Sequence, residues 1–214
     1  MGFREYYQNI RQHDPAMKTA AEIIFYPSFW AMGFHRVCHW LYKRKRFLLA
    51  RILSQHSRWL TGIEIHPGAI IGKCLFIDHG AGVVIGETCE IGNYVTIYQG
   101  VTLGGTGKDT GKRHPTICDR VMISTGAKVL GPFTVGEGAR IGAGSVVLQE
   151  VPPGSTVVGI PGRVVKRDGH RTCVLDQVQL PDPVSMEFTK LRQQLDASEQ
   201  KIATLEKKLE DMTK

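Results

Sequence analysis

An adjacent aspartate and histidine, Asp78 and His79, stand where a regular pattern of apolar residues is interrupted. A histidine that is neutral near pH 7 is well suited to accept a proton from a substrate hydroxyl. A nearby carboxylate can orient the ring and stabilise the imidazolium that forms. Glu64, fifteen residues earlier, is a candidate for that role. This pattern favours general-base catalysis by His79.

A second segment with chemical potential runs from Gly104 to His114 and reads GGTGKDTGKRH. Its glycines leave backbone amides open to a ligand, and Lys108, Lys112, Arg113 and His114 add positive or titratable groups. Open amides and basic side chains together suit a phosphate or a carboxylate.

Both segments interrupt a six-residue repeat. An aliphatic residue recurs at thirteen positions, often followed by Gly: Ile65, Ile71, Ile77, Ile85, Ile91, Ile97, Leu103, Ile117, Ile123, Val129, Val135, Ile141 and Val147. Such hexads, each a short strand and a corner, are typical of a left-handed parallel β-helix. Three hexads make a coil, so we expect a mainly β fold of about four to five coils. An eighteen-residue coil would place Glu64 on the coil next to His79.

The flanking sequences predict different structures. We expect a helical region over 1–60 that caps the β-helix, with a helix beginning at Asp14 as N-cap and Pro15 as first residue. The β-helix is expected over 61–165, followed by a linker over 166–187. The final segment, 188–214, has the 3-4 spacing of a coiled coil, with a stripe formed by Phe188, Leu191, Leu195, Ser198, Ile202, Leu205, Leu209 and Met212.

Composition narrows the possible locations and partners. The 214 residues carry a formal net charge of +7, but the basic run Lys43–Arg46 has no interleaved aromatic residues, so we expect no nucleic-acid partner. No apolar run is long enough for a membrane span, and the N-terminus resembles no secretory signal. Five scattered cysteines, with no CxxC pair, are typical of reduced thiols. A cytoplasmic protein that does not bind membranes is expected.

The motifs together resemble serine O-acetyltransferases, a family of hexapeptide-repeat acyltransferases. The resemblance extends from about residue 14 to residue 165, and its most specific parts are Asp78-His79-Gly80 and the GGTGK…RHP blocks. The other matching stretches are 62–69, 84–88, 101–108 and 141–148. The family transfers acetyl from acetyl-CoA to the hydroxyl of L-serine and so makes O-acetylserine for cysteine biosynthesis.

The resemblance implies a role for each site residue. His79 would deprotonate the serine hydroxyl, which attacks the thioester directly, and Glu64 would partner the imidazole. Asp14 and Asp78 would hold the serine ammonium, and Arg113 and His114 its carboxylate. The CoA arm would lie between adjacent β-helices, along the backbone at four positions: Gly105, Thr106, Thr125 and Ala143. No metal is expected.

The resemblance also implies a homotrimer and feedback inhibition by L-cysteine in the serine site. Many relatives carry a longer helical N-terminal region that joins two trimers, whereas a single trimer clasped by the C-terminal coil is expected here. A complex with O-acetylserine sulfhydrylase through the tail is not expected, because the charged Lys214 would be costly to desolvate in an apolar pocket.

Three alternatives remain at this point. Another hexapeptide acyltransferase, acting on a sugar or xenobiotic hydroxyl, would keep His79 but would not need charges suited to a zwitterion. A zinc lyase would need three histidine ligands, drawn from His66, His79 and His114. A non-catalytic trimeric scaffold would leave the residues at the interruptions without a function.

Overall fold

The computed structural model describes residues 7–8, 10–11, 14, 16–107, 110–166 and 183–212. Residues 1–180 and 181–214 form two separate units. Pro15, Lys108 and Lys214, which enter the sequence predictions, lie outside the described residues. No helix in the described ranges is long and apolar enough to cross a bilayer.

Between residues 16 and 61, which are all described, three helices precede the repeats. A 3-10 helix spans Ala20–Phe25, helix α1 spans Pro27–Lys43 and helix α2 spans Phe47–Thr61. Ala31 and Met32 of α1 are buried in one cluster with Ile63 and Ile65 of the first coil. These helices therefore cap the apolar end of the repeats, as the sequence predicts.

The repeats form a parallel β-helix with three faces, in which each strand pairs with the strand one coil away. Face A contains β1 (Glu64–Ile65), β4 (Val84–Ile85), β7 (Thr102–Gly104), β10 (Lys128–Leu130) and β13 (Val146–Val147). Face B contains β2 (Ile70–Ile71), β5 (Glu90–Ile91), β8 (Thr116–Ile117) and β11 (Thr134–Val135). Face C contains β3 (Phe76–Ile77), β6 (Thr96–Ile97), β9 (Met122–Ile123), β12 (Arg140–Ile141), β14 (Thr156–Val158) and the antiparallel β15 (Arg163–Lys166).

The aliphatic hexad positions fill the interior. Twelve of the thirteen are buried, and Ile71 is partly buried against the same cluster. The two extra residues after Ile77 shift the next inward position by two, so Val83 is buried and Ala81 is exposed.

Two edges of the prism matter for the site. We call edge CA the corners that lead from face C to face A: 78–83, 98–101, 124–127 and 142–145. Edge AB comprises the corners from face A to face B: 66–69, 86–89, 105–107 with 110–115, and 131–133. The interruption after Asp78 lies on edge CA, and the long glycine-rich segment lies on edge AB.

The expected helix start at Asp14 is wrong. Asp14 ends a helical turn, since its N–H donates to the Ile10 carbonyl at 2.8 Å. Its Oδ1 accepts the Ala16 N–H at 2.8 Å, and residues 17–19 are not helical. The next helix begins at Ala20, where the Glu22 carboxylate accepts the Thr19 N–H at 2.8 Å.

The second unit is one helix, α3, which spans Pro183–Met212. It begins five residues earlier than the expected 188, within the predicted linker. Proline fits the first position of a helix, because its fixed φ is helical and its missing N–H would have no partner there.

Candidate active site

Asp78 and His79 are presented on edge CA by an unusual backbone. The Asp78 N–H still donates to the Ile97 carbonyl at 2.8 Å, so the ladder holds this residue in place. His79 and Gly80 then adopt left-handed φ values of 59° and 74°. A Cβ at Gly80 would lie 2.6 Å from Ile63 Cδ1, so only glycine fits. The turn leaves the His79 side chain 72% exposed, with 3.8 Å between its Nε2 and Asp78 Oδ2.

Asp14 and Asp78 lie in one electrostatic environment. Burial raises the pKa of Asp78, and the Asp14 carboxylate adds to that rise. The Tyr26 hydroxyl donates to Asp14 Oδ2. Burial, Asp78 and Asp14 together raise the pKa of Tyr98. Two carboxylates framed by two tyrosines form a site suited to an ammonium group.

Sequence reasoning missed both tyrosines. Tyr98 follows Ile97, which pairs with Ile77 in the face C register, so Tyr98 stacks beside Asp78. That register was available from the repeat once the two-residue insertion was included. Tyr26 lies outside the repeats, and no sequence spacing indicates its contact with Asp14.

Arg113 and His114 lie on edge AB and are held by residues of the preceding coil. Arg113 Nη2 donates to Glu87 Oε2. The Tyr42 hydroxyl donates to Glu87 Oε1 at 2.7 Å. These hydrogen bonds lower the pKa of Glu87, that of Tyr42 contributing most. Glu87 therefore remains charged and fixes the guanidinium.

Thr88 determines how the His114 ring is protonated. The Thr88 N–H donates to His114 Nδ1 at 3.2 Å, and its hydroxyl lies 2.9 Å from the same nitrogen. Nδ1 therefore acts as an acceptor, and in the neutral ring the proton resides on Nε2. Burial lowers the pKa of His114, and Arg113 lowers it further. His114 thus offers an Nε2–H donor close to the Arg113 cation.

The ring of His114 lies directly against the backbone of the coil before it. A Cβ at Gly86 would lie 2.0 Å from His114 Cδ2. Glu87 and Thr88 lie in the matching stretch 84–88 but have no predicted role, and their contacts with the residues 26 positions later come from stacking across the long segment. The length of that segment gives no information about its register, so sequence reasoning could not find these contacts.

Glu64 lies on face A, next to Ile63, whose side chain packs against Gly80. Its Oε2 is 3.3 Å from Arg58 Nε of helix α2. The carboxylate beside the His79 ring in this single chain is that of Asp78. A contact between Glu64 and His79 stays a prediction.

The four backbone positions expected to contact CoA divide between the two edges. Gly105 and Thr106 lie on edge AB, at the start of the long segment. Thr125 and Ala143 are exposed on edge CA, where the Thr125 carbonyl accepts the Gly144 N–H at 2.8 Å.

The residues predicted to bind serine also divide between the two edges. Strand β4 connects the two edges, and the span from Gly82 to Glu87, at about 3.3 Å per residue, is on the order of 15 Å. That distance is much longer than a serine zwitterion. The histidines considered for zinc are also divided, with His66 and His114 on edge AB and His79 on edge CA. Across the described ranges, no group of three or more His, Cys, Asp or Glu is placed to hold a metal ion.

Comparison with known proteins gives consistent results. Residues 114–149 match the family model "Bacterial transferase hexapeptide (six repeats)", and the chain has the expected left-handed parallel β-helix. A serine acetyltransferase of Bacillus subtilis is 60% identical over 194 residues, which cover 90% of this chain and 89% of the relative. One from Bacillus pumilus is 54% identical over 209 residues, covering 97% and 96% of the two chains.

Solved structures agree. A serine acetyltransferase in complex with cysteine has a TM-score of 0.78 at 41% identity and covers 82% of this chain and 69% of its own. The Neisseria gonorrhoeae enzyme in complex with serine has a TM-score of 0.73 at 41% identity, covering 77% and 67%. The Brucella abortus enzyme in complex with coenzyme A has a TM-score of 0.74 at 43% identity, covering 78% and 67%.

Proposed function

Because the chain belongs to the serine acetyltransferase family, we propose that its active site forms between edge CA of one copy and edge AB of the next, with His79 as the base. The enzyme transfers acetyl from acetyl-CoA to the L-serine hydroxyl, giving O-acetylserine and CoA. The observation that carries the proposal is the separation of the acidic and the basic groups at opposite ends of β4.

The charges suit a zwitterion held between two copies. Asp78 on edge CA, together with the nearby Asp14, binds the serine ammonium, and Arg113 and His114 on edge AB of the neighbouring copy bind its carboxylate. A ring of three copies brings each edge CA against an edge AB, so that three equal sites form. L-cysteine, which differs from serine by sulfur in place of oxygen, occupies the same clamp and competes with serine.

The chemistry begins at the exposed imidazole of His79. Neutral His79 accepts the proton of the serine hydroxyl while that oxygen attacks the thioester carbonyl. The carbon–sulfur bond then breaks, and the imidazolium returns the proton to the leaving CoA thiolate. Glu64 orients the ring, which requires its carboxylate to turn from Arg58 toward His79.

The CoA arm follows the same groove. Gly105 and Thr106 of edge AB contact one side of it, and Thr125 and Ala143 of edge CA contact the other. The open backbone at these positions leaves room for a close approach of the ligand.

The base is tested with His79→Ala. Thiol release from acetyl-CoA with L-serine should fall by about a hundredfold or more. The mass of the assembly should not change, because the substitution shortens one side chain at a corner and leaves the buried apolar core intact. His56→Ala, which removes another exposed histidine from α2, is the matched control and should retain activity. A His79→Ala variant with a third of the normal rate would contradict this role.

A further inference from the structure

Helix α3 has a continuous apolar stripe that the chain exposes. Its described large members are each 54% to 67% exposed: Phe188, Leu191, Leu195, Ile202 and Leu205. Their 3-4 spacing, completed by Ser198, places them at alternating a and d positions of a heptad. A helix with this stripe gains most of its stability from a partner that covers it.

We propose that the stripe is covered by the same helix of two further copies, parallel and in register. In this heptad frame Glu187 and Lys201 occupy g positions, and Arg192 and Glu206 occupy e positions. In a parallel coil a g residue faces the e residue five positions later on its neighbour. Glu187 would therefore face Arg192, and Lys201 would face Glu206.

Both of these interchain pairs join opposite charges. Residues five positions apart do not face each other within one helix, so these two pairs can form only between helices. The charges thus complement a parallel copy of the same helix. The number of strands rests on the proposed trimer, because three copies around one axis bring three tails together at high effective concentration. The serine chemistry is not involved.

Cysteine cross-linking of the full chain tests the arrangement. Ser198→Cys places a thiol at a d position with little change in size, and Ala197→Cys places one at the adjacent outward position. Under mild oxidation, the first variant should form interchain disulfides about tenfold faster or more than the second. The unsubstituted chain gives the background from its own cysteines. Equal rates in the two variants would overturn the proposal.

A second pair of variants tests the direction of the helices, because it lies away from the middle of α3. Leu205→Cys at a d position should cross-link to its own copy faster than Thr204→Cys at an outward position. Parallel helices in register bring identical positions together, whereas antiparallel helices separate them. Cross-linking at 198 without cross-linking at 205 would overturn the parallel arrangement.

The charge pairs are tested in the Ser198→Cys background. Lys201→Glu sets two like charges against each other and should slow cross-linking by about threefold. Adding Glu206→Lys restores opposite charges and should restore the rate. A restoration that fails would contradict the proposed g–e contacts.

Light scattering on the same samples separates this proposal from the trimer it rests on. A trimer with selective cross-linking at 198 and 205 is expected. A trimer in which positions 198 and 205 cross-link no faster than positions 197 and 204 would overturn the coiled coil but not the trimer of the core. Selective cross-linking in a dimer would overturn the three-stranded coil.

Discussion

Thr88 is a single uncharged residue that positions both Arg113 and His114, the residues proposed to bind the serine carboxylate. Its hydroxyl accepts the N–H groups of Arg113 at 3.0 Å and His114 at 3.1 Å, and it lies against His114 Nδ1. The same side chain therefore fixes the backbone that presents the guanidinium and the tautomer of the imidazole. We regard Thr88 as a positioning residue, because it acts through Arg113 and His114.

Thr88→Val keeps the shape of the side chain but removes these hydrogen bonds. The loss of the hydroxyl should raise the serine KM by about tenfold to a hundredfold, since each unmade hydrogen bond costs about 1–3 kcal/mol. The acetyl-CoA KM and kcat should change much less. Thr88→Ser keeps the hydroxyl and is the matched control. Steady-state kinetics with both substrates varied measure this, and an unchanged serine KM would contradict the role.

The proposed contact of Asp78 with serine predicts that serine binding depends on pH. Its pKa is raised, mainly by burial, so its carboxylate becomes protonated at a higher pH than an ordinary aspartate as the pH falls. In the proposed site, the ammonium of serine would then lose a charged partner. Calorimetry from about pH 7 to about pH 4 should show affinity declining before the usual aspartate range, near 3.9, is reached. Asp78→Asn should bind weakly at every pH without this decline, and the same decline in the variant would contradict the assignment.

At the scale of elements, two histidines of helix α1, His35 and His39, lie where the helix packs on the first coil. The His39 Nδ1–H donates to the Pro67 carbonyl at 2.8 Å. Burial, with a further contribution from the neighbouring His39, lowers the pKa of His35 to about 4. His35 is therefore neutral in the folded protein throughout the range in which an exposed histidine takes up a proton.

This burial links the attachment of α1 to pH. Below about pH 6.5 the unfolded chain binds a proton at His35, whereas the folded chain does so only near pH 4. Stability from this residue is thus fully present above the unfolded pKa and declines as the pH falls toward 4, by on the order of 3 kcal/mol. His35→Gln should flatten the urea-unfolding profile over this range, with His56→Gln as the exposed control. If the unfolding free energy of His35→Gln changes with pH as steeply as that of the unsubstituted chain, the linkage is contradicted.

Much of the element layout could be predicted from the sequence, because the hexad period is a local pattern. The thirteen hexads predicted the faces and their interior, and the heptad predicted a C-terminal helix. Helix boundaries were less accessible: Asp14 resembles an N-cap, but Tyr26 and Ala16 satisfy its carboxylate in a turn. Contacts such as that of Tyr42 with Glu87 join residues 45 positions apart, and no local spacing indicates them.

At the scale of the whole molecule, the proposed site between two edges would make activity depend on assembly. Each chain carries the base and the acidic groups on edge CA, and the guanidinium and His114 on edge AB. The sequence predicted the members of the clamp but not that they separate, because their edge depends on the phase of each interruption within its coil. In the proposed assembly, a closed ring of copies would complete every site, while a single chain would complete none.

The most direct test mixes two inactive variants. His79→Ala damages only edge CA, and Arg113→Ala damages only edge AB, so each alone should be inactive as a homogeneous assembly. If the two are unfolded together and refolded at equal concentrations, random assembly should restore about a quarter of the normal serine acetylation rate, because some junctions then combine two intact edges. A mixed sample as inactive as the separate variants, with mixed assemblies verified by mass, would show that each site lies within one chain.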